Sequence, residues 1–148
     1  MFRFMVQAQL PEIMRLDSFC YENCWSERDF KEQMKKRNVY IQIYEDEGQI
    51  IGFLVYQSLK YHIEILRFGI HPDYQRNGLG KKFIAELKTK MKKPKIKIFV
   101  PEINLAAQLF FKSQDFMCTG IELPEGDGDT TYKMEYLVGK PVAEEVES

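Results

Sequence analysis

The segment Glu64–Lys82, EILRFGIHPDYQRNGLGKK, decides the fold of this 148-residue chain. In its first part, apolar side chains recur at every second position, at Leu66, Phe68 and Ile70, which is the period of a half-buried strand. Pro72 ends that strand, because proline donates no main-chain hydrogen bond and biases the residue before it away from a helix. The segment therefore predicts a strand followed by a turn.

A glycine-bearing loop, Gln75–Gly80, follows the turn and opens a predicted helix. Gly78 and Gly80 are separated by one residue, which lets main-chain N–H groups approach a bulky anion closely. The N-terminus of the helix adds a partial positive charge. The strand, the loop and the helix start together predict a cradle for a phosphate group.

Spacing excludes two other phosphate-binding loops. The dinucleotide fingerprint G-x-G-x-x-G needs a third glycine where Phe83 stands. The nucleotide loop G-x-x-x-x-G-K-[ST] needs a hydroxyl residue where Lys82 stands. The remaining pattern, Q-x-x-G-x-G after Ile-His-Pro, resembles the pyrophosphate loop of the GNAT acyl-CoA transferases.

Apolar periodicity predicts the element order β-α-α-β-β-β-α-β-α-β-β, which is also the order of the GNAT fold. The resemblance covers Phe2 to Leu137 and implies an α/β fold, with a mixed, mostly antiparallel central sheet and helices on both faces. Residues 1–138 are expected to form a single GNAT acetyltransferase domain, and the acidic residues 139–148 a loose tail. Helical spacing places Phe19 on the buried face of the first helix, and Leu105, Leu109 and either Phe110 or Phe111 on that of the last. The first strand is expected from Phe2 to Gln7.

Composition narrows the range of functions. With a net charge of −1 and a pI of about 6.2, the chain gives no overall electrostatic argument for binding nucleic acid. Three cysteines, no C-x-x-C and no signal peptide predict reduced thiols in the cytoplasm. With two histidines at unsuitable spacing, no metal site is expected, and no apolar run is long enough to cross a membrane. The oligomeric state is left open.

The resemblance implies acetyl-CoA as the co-substrate. The main-chain N–H groups at the end of the central strand would hold the pantetheine arm and polarise the thioester carbonyl, and the glycine loop would hold the pyrophosphate. Asn104 matches a pantetheine-contacting Asn of the family, with an N-cap role as its alternative. Lys81 could approach the 3′-phosphate or be a solvated lysine. The cofactor-binding residues implied in this way are Phe68, Gly69, Ile70, Gln75, Arg76, Asn77, Gly78, Leu79, Gly80, Lys81, Asn104 and Phe111.

Two further segments resemble the ribosomal-protein-alanine N-acetyltransferase branch of the family. They are Cys24-Trp25-Ser26-Glu27 with Phe30, where Cys24 replaces a usual proline, and Val100–Phe111, which is similar to the Asn-x-x-Ala…Leu-Tyr stretch of that branch. The branch acetylates the α-amino group at a protein N-terminus. The resemblance makes Trp25 and Glu102 candidate substrate contacts.

Glu64 is the candidate general base. It stands eleven residues before Gln75, the offset of a strand glutamate in histone-type lysine acetyltransferases, and burial on a strand is expected to raise its pKa. A glutamate that pairs with Arg67 or Lys60, or points into water, is the alternative. His62, on the same strand face, is the second candidate because it titrates near neutral pH.

The sequence departs from the branch at its acid–base positions. Phe99 stands where the branch carries a glutamate, and Phe111 stands where it carries the acid tyrosine. A phenyl ring can donate no proton, so Tyr132, Tyr136 or water is left to protonate the departing thiolate.

Three functions remain compatible with these residues. The first is acetylation of a protein N-terminal α-amine. The second is acetylation of a small amine or a lysine side chain, for which the acidic loop Pro124–Asp129 would suit a cationic substrate. The third is a catalytically weak acyl-CoA-binding module.

Overall fold

The computed structural model describes residues 1–75, 77–90 and 92–137 of the chain. Their elements follow the predicted order, with short 3-10 helices at Gln7–Gln9 and Pro72–Tyr74. Arg76, Met91 and the predicted tail 139–148 lie outside the described residues. The helices and strands are β1 (Phe2–Phe4), α1 (Leu10–Cys20), α2 (Glu27–Met34), β2 (Val39–Asp46), β3 (Gln49–Ser58), β4 (His62–Ile70), α3 (Leu79–Lys90), β5 (Lys95–Pro101), α4 (Leu105–Ser113), β6 (Met117–Glu122) and β7 (Thr131–Leu137).

The chain divides into two compact units. Of the described residues, the first comprises 1–58, 65–75 and 77–89, and the second comprises 59–64, 90 and 92–137. The division falls within β4, so His62 and Glu64 belong to the second unit and Phe68 to the first. The prediction of a single domain over residues 1–138 stays a prediction.

In the first unit the strands lie in the order β1-β2-β3-β4, and β2 pairs antiparallel with both β1 and β3. Glu47 and Gly48 connect β2 to β3 with φ angles of 51° and 79°, as expected of a tight hairpin turn. Helices α1 and α2 cover these strands with a shared apolar core. Its buried members are Leu10, Ile13, Leu16, Phe30, Ile41, Ile43, Ile50, Phe53 and Val55.

Helix α3 also packs within the first unit, chiefly through Phe83. Its ring lies edge-on to those of Phe2 and Phe68, at centroid distances of 4.8 and 5.6 Å. Gly52 makes this approach possible, because a Cβ there would lie 2.6 Å from Cε2 of Phe83. The helix that follows the glycine loop is therefore held firmly by aromatic packing.

In the second unit the strands lie in the order β5-β7-β6, with antiparallel pairing throughout. Ile96, Ile98 and Val100 alternate along β5 and are buried, as the period of a half-buried strand requires. Phe111 of α4 packs against Phe116, with ring centroids 5.2 Å apart. The buried residues of this unit include both phenylalanines and the three aliphatic residues of β5.

Several expectations about buried faces are wrong. Leu105 and Leu109 are 62% and 58% exposed, because the inward face of α4 is the one that carries Phe111. Phe19 is 55% exposed, because it lies off the buried stripe of α1, which consists of Leu10, Ile13, Leu16 and Asp17.

Two strand expectations also need correction. Along β4, Ile63 and Ile65 are buried whereas Leu66 and Phe68 are only half-buried. The strand carries apolar side chains on both faces, so alternation could not identify the more deeply buried one. The first strand ends at Phe4 rather than Gln7, since a 3-10 helix begins at Gln7.

Candidate active site

The glycine loop leads directly from a 3-10 turn into α3. The N–H of Tyr74 donates to the His71 carbonyl at 2.8 Å, and that of Asn77 donates to the Tyr74 carbonyl at 3.2 Å. Gly78 has a φ of +75°, a region that non-glycine residues avoid, and nothing lies within 4 Å of the position its Cβ would take. The loop is therefore tightly folded and open on the side of Gly78.

The start of α3 suits an anion. The first N–H groups of a helix have no partner within the helix, and the first turn of α3 carries no acidic residue among those described. Leu79 is buried in the first turn of the helix. Gln75, Asn77 and Lys81 are exposed, and the Gln75 amide donates to the Ile70 carbonyl at 3.2 Å, which ties the loop to β4.

Cys20, the last residue of α1, and Tyr21, which follows it, form hydrogen bonds to the main chain of β4. The Tyr21 hydroxyl donates to the Phe68 carbonyl at 2.6 Å and accepts from the Phe68 N–H at 3.2 Å. The Cys20 thiol donates to the Ile70 carbonyl at 3.3 Å. A Cβ on Gly69 would lie 3.0 Å from that sulfur, so a glycine is needed for this close approach. The Phe68 N–H predicted to hold the coenzyme thus has a hydroxyl partner within the protein.

A buried ion pair supports this arrangement. The fully buried carboxylate of Asp17 accepts hydrogen bonds from Arg67 at 2.7 and 3.0 Å and from the Trp25 N–H at 2.8 Å. Arg67 also donates to the Asn23 carbonyl at 2.8 Å, and its guanidinium lies 3.5 Å from the Tyr21 ring centroid. Arg67 is therefore paired with Asp17, and not with Glu64 as one alternative proposed.

This ion pair was not predicted from the sequence. Its signal was a charged residue four positions after Ile13, on the apolar stripe of α1. Trp25, the candidate substrate contact, is half-buried, and its ring lies 5.0 Å from that of Phe30. Its position depends on Asp17 through the main-chain hydrogen bond.

His62 and Glu64, the two candidate bases, are both half-buried in the second unit. Burial lowers the pKa of His62, and the positive charges of Lys97 and Lys95 lower it further, against an opposing effect of Glu135. The imidazole is therefore neutral near pH 7 and able to accept a proton. Within the part of the chain that the structure describes, its Nε2 is buried without a hydrogen-bond partner.

Glu102 and Asn104 lie in the turn between β5 and α4. Asn104 caps α4, since its Oδ1 accepts from the Ala107 N–H at 3.1 Å, which confirms the alternative role. Glu102 is exposed and is fixed through its main chain, with its N–H donating to the Thr130 carbonyl at 2.8 Å. Burial raises the pKa of Tyr132, and the charge and hydrogen bond of Glu102 raise it further.

Phe111, which replaces the branch tyrosine, is a buried core residue. Its ring lies 5.1 Å from that of Phe110 as well as against Phe116. Among residues 1–75, 77–90 and 92–137, no group of His, Cys, Asp and Glu side chains could hold a metal ion. No helix in these same ranges is long and apolar enough to span a membrane.

The strand, the open glycine loop and the anion-favouring helix start are the arrangement expected from the resemblance to acyl-CoA transferases. Residues 10–116, more than half of the chain, match the family model described as "Acetyltransferase (GNAT) family". The chain belongs to this family and is an acetyl-CoA-dependent N-acetyltransferase.

Among its relatives is the [Ribosomal protein bS18]-alanine N-acetyltransferase of Escherichia coli, 24% identical over 112 residues that span 74% of this chain and 75% of the relative. The crystal structure of the E. coli enzyme has a TM-score of 0.84, 20% identity and 95% coverage of both chains. The structure of Ard1 from Thermoplasma volcanium matches this chain with a TM-score of 0.83 and 18% identity, covering 95% of this chain and 98% of Ard1. The structure of Arabidopsis thaliana NAA60 in complex with acetyl-CoA matches with a TM-score of 0.77 and 16% identity, covering 95% of this chain and 99% of NAA60. These likenesses confirm the mixed α/β fold.

Proposed function

We propose that this acetyltransferase acts on the α-amine at the N-terminus of a protein. One observation carries the proposal: the similarity over about three quarters of both chains to an enzyme whose name gives an alanine of a ribosomal protein as its acceptor. The Trp25–Ser26–Glu27 entry to α2 and the Asn104 segment belong to the same resemblance. The free cysteines Cys20, Cys24 and Cys118 agree with a cytoplasmic location.

The acid–base groups present suit an α-amine better than a lysine. An α-amine has a pKa of about 8 and is about a tenth neutral at pH 7, whereas a lysine at about 10.4 is almost entirely protonated. Burial, Lys97 and Lys95 lower the pKa of His62, so the imidazole is an unprotonated but weak base, which suits an amine that is already easy to deprotonate. We propose His62 and Glu64 as alternative bases.

The same proposal assigns the coenzyme residues. The main chain of Gln75–Gly80 and the start of α3 would bind the diphosphate, because N–H groups and the helix dipole favour negative charge there. Residues Phe68–Ile70 would contact the pantetheine arm. Asn104 and Phe111 support the second unit through capping and packing, and any coenzyme contact by them is secondary to those roles.

Three matched peptides test the acceptor. One has a free N-terminal alanine and arginine in place of an internal lysine, the second has a blocked N-terminus and the lysine, and the third has neither amine. We expect acetyl-CoA turnover with the first peptide only. Faster turnover with the second would show that a lysine is the acceptor.

A polyamine in the same assay tests the remaining alternative. The acidic residues between Pro124 and Asp129 are exposed and would attract a cationic amine. A polyamine that reacts faster than the alanine peptide would replace the proposed acceptor with a small amine. His62→Gln and Glu64→Gln then identify the base, since the variant that lacks it should lose about a hundredfold in kcat.

A further inference from the structure

The branch acid is absent from this chain, because Phe111 offers no proton and lies in an aromatic core. A hydroxyl is nevertheless held on β4, at the main chain of Phe68. We propose that Tyr21 is the catalytic residue that donates a proton to the departing thiolate. The inference rests on the family activity and on the proposed place of the thioester at Phe68–Ile70, and it holds for any amine acceptor.

The hydrogen bonds of Tyr21 fix its hydroxyl at that place. The O–H donates to the Phe68 carbonyl at 2.6 Å, while the Phe68 N–H donates to the same oxygen at 3.2 Å. A hydroxyl that accepts an N–H becomes a stronger donor, because the accepted bond stabilises negative charge on its oxygen. A small rotation of the O–H bond would turn its proton from the carbonyl to a ligand.

The Arg67 guanidinium offsets part of the cost of forming the phenolate that proton donation leaves. The Arg67 guanidinium lies 3.5 Å from the ring centroid and is locked there by the buried Asp17 carboxylate. A cation so close stabilises negative charge on the phenol. Burial nonetheless raises the pKa of Tyr21 above its usual value, so the hydroxyl carries its proton at neutral pH.

The transfer step balances without another reactant. The neutral amine forms a C–N bond to the thioester carbonyl, and the C–S bond breaks with its electron pair remaining on sulfur. The Tyr21 proton moves to that sulfur and gives the free thiol. The nitrogen loses one proton as the amide forms, and this proton returns through water to the Tyr21 phenolate.

Tyr132 and Tyr136 are the matched comparisons. Burial raises the pKa of both Tyr132 and Tyr21, but the charge of Glu102 raises that of Tyr132 further whereas Arg67 lowers that of Tyr21. Tyr136 lies against Phe116, with ring centroids 5.8 Å apart.

Three Tyr→Phe variants test the proposal with acetyl-CoA and the most reactive amine. Tyr21→Phe should lower kcat about tenfold or more, while the Kd for coenzyme A and the acceptor KM stay within about twofold. Tyr132→Phe and Tyr136→Phe should keep kcat near the wild-type value. The proposal would be overturned if Tyr21→Phe kept the wild-type kcat or lost only affinity for coenzyme A. It would also be overturned if Tyr132→Phe lost as much kcat as Tyr21→Phe.

A second variant covers the case in which Tyr21→Phe does not fold. A fluorinated tyrosine at position 21 keeps the ring and the hydroxyl but lowers the phenol pKa. The charged and titratable groups around the ring are Arg67, Asp17 and Cys20. We expect the alkaline limb of kcat to move to lower pH by the same shift, and an unmoved limb would contradict the proposal. Absence of wild-type turnover with every amine would instead contradict the enzymatic activity itself.

Discussion

The Arg67 guanidinium forms two hydrogen bonds to the carboxylate of Asp17, which is fully buried in the first unit. The pair joins β4 to α1 and, through the Trp25 N–H, to the chain that enters α2. A two-point contact between a guanidinium and a carboxylate is stronger and more directional than a single hydrogen bond. It therefore fixes the chain around Tyr21, on which the proposed chemistry depends.

Breaking this pair should cost much stability. Asp17→Asn leaves Arg67 without a counter-charge in a buried place, and we expect the free energy of unfolding to fall by about 3 kcal/mol or more. Urea unfolding monitored by circular dichroism measures this loss in the free energy of unfolding. The matched control is Glu32→Gln, which removes the exposed Arg28–Glu32 pair and should cost less than about 0.5 kcal/mol. Equal, small losses in both variants would show that the Asp17 pair does not stabilise the fold.

His62 should make stability fall in mild acid. Its pKa is lowered from 6.5, so the unfolded chain takes up a proton more readily than the folded chain. Stability is therefore complete above the ordinary pKa and is lost as the pH falls from 6.5 towards the lowered value. His62→Gln should reduce this loss between pH 7 and pH 5, as measured by urea unfolding.

The difference in the free energy of unfolding between wild type and His62→Gln serves as the control, because other groups that titrate in this range affect both proteins alike. We expect that difference to be constant above pH 7.5 and to change as the pH drops below 6.5. A difference that does not vary with pH would contradict the effect of burial and of the two lysines on the imidazole.

The three cysteines should differ in reactivity. Burial, with the nearby Asp17 charge, raises the pKa of Cys20 to about 11, whereas Cys24 and Cys118 are exposed. Alkylation requires the thiolate, so Cys20 should react at least about tenfold more slowly at pH 8. Iodoacetamide labelling followed by peptide mass spectrometry gives the three rates. A Cys20 rate equal to that of Cys24 would show that the thiol is not shielded as the structure indicates.

Local patterns allowed much of the fold to be predicted from sequence. The proline and glycines after β4, the Ser26–Asp29 capping box and the Glu47–Gly48 hairpin depend on only a few neighbouring residues. The proline and the glycines were predicted from the sequence, and apolar periodicity predicted the element order. The loop that would hold the diphosphate was found for the same reason.

Long-range contacts account for what sequence reasoning missed. Asp17 is buried because Arg67, fifty positions later, lies beside it, and no local period reveals such a pair. Leu105 and Leu109 were placed inside because apolar spacing on a short helix does not tell which stripe faces the sheet. Tyr21 was overlooked because its hydroxyl acts on the main chain of a strand distant in sequence.

Coenzyme titration of two glycine variants tests the central claim that the loop before α3 grips the diphosphate. Gly78 and Gly126 both have positive φ angles, of 75° and 91°, and both have open space where a Cβ would stand. Gly→Ala at either position should cost a similar amount of stability, about 1 kcal/mol.

The two variants should nevertheless differ in binding. By calorimetry, we expect coenzyme A to bind wild type and Gly126→Ala alike, and to bind Gly78→Ala at least about tenfold more weakly, because a methyl group would enter the space of the diphosphate. No binding to the wild type, or equal affinity in both variants, would contradict the account.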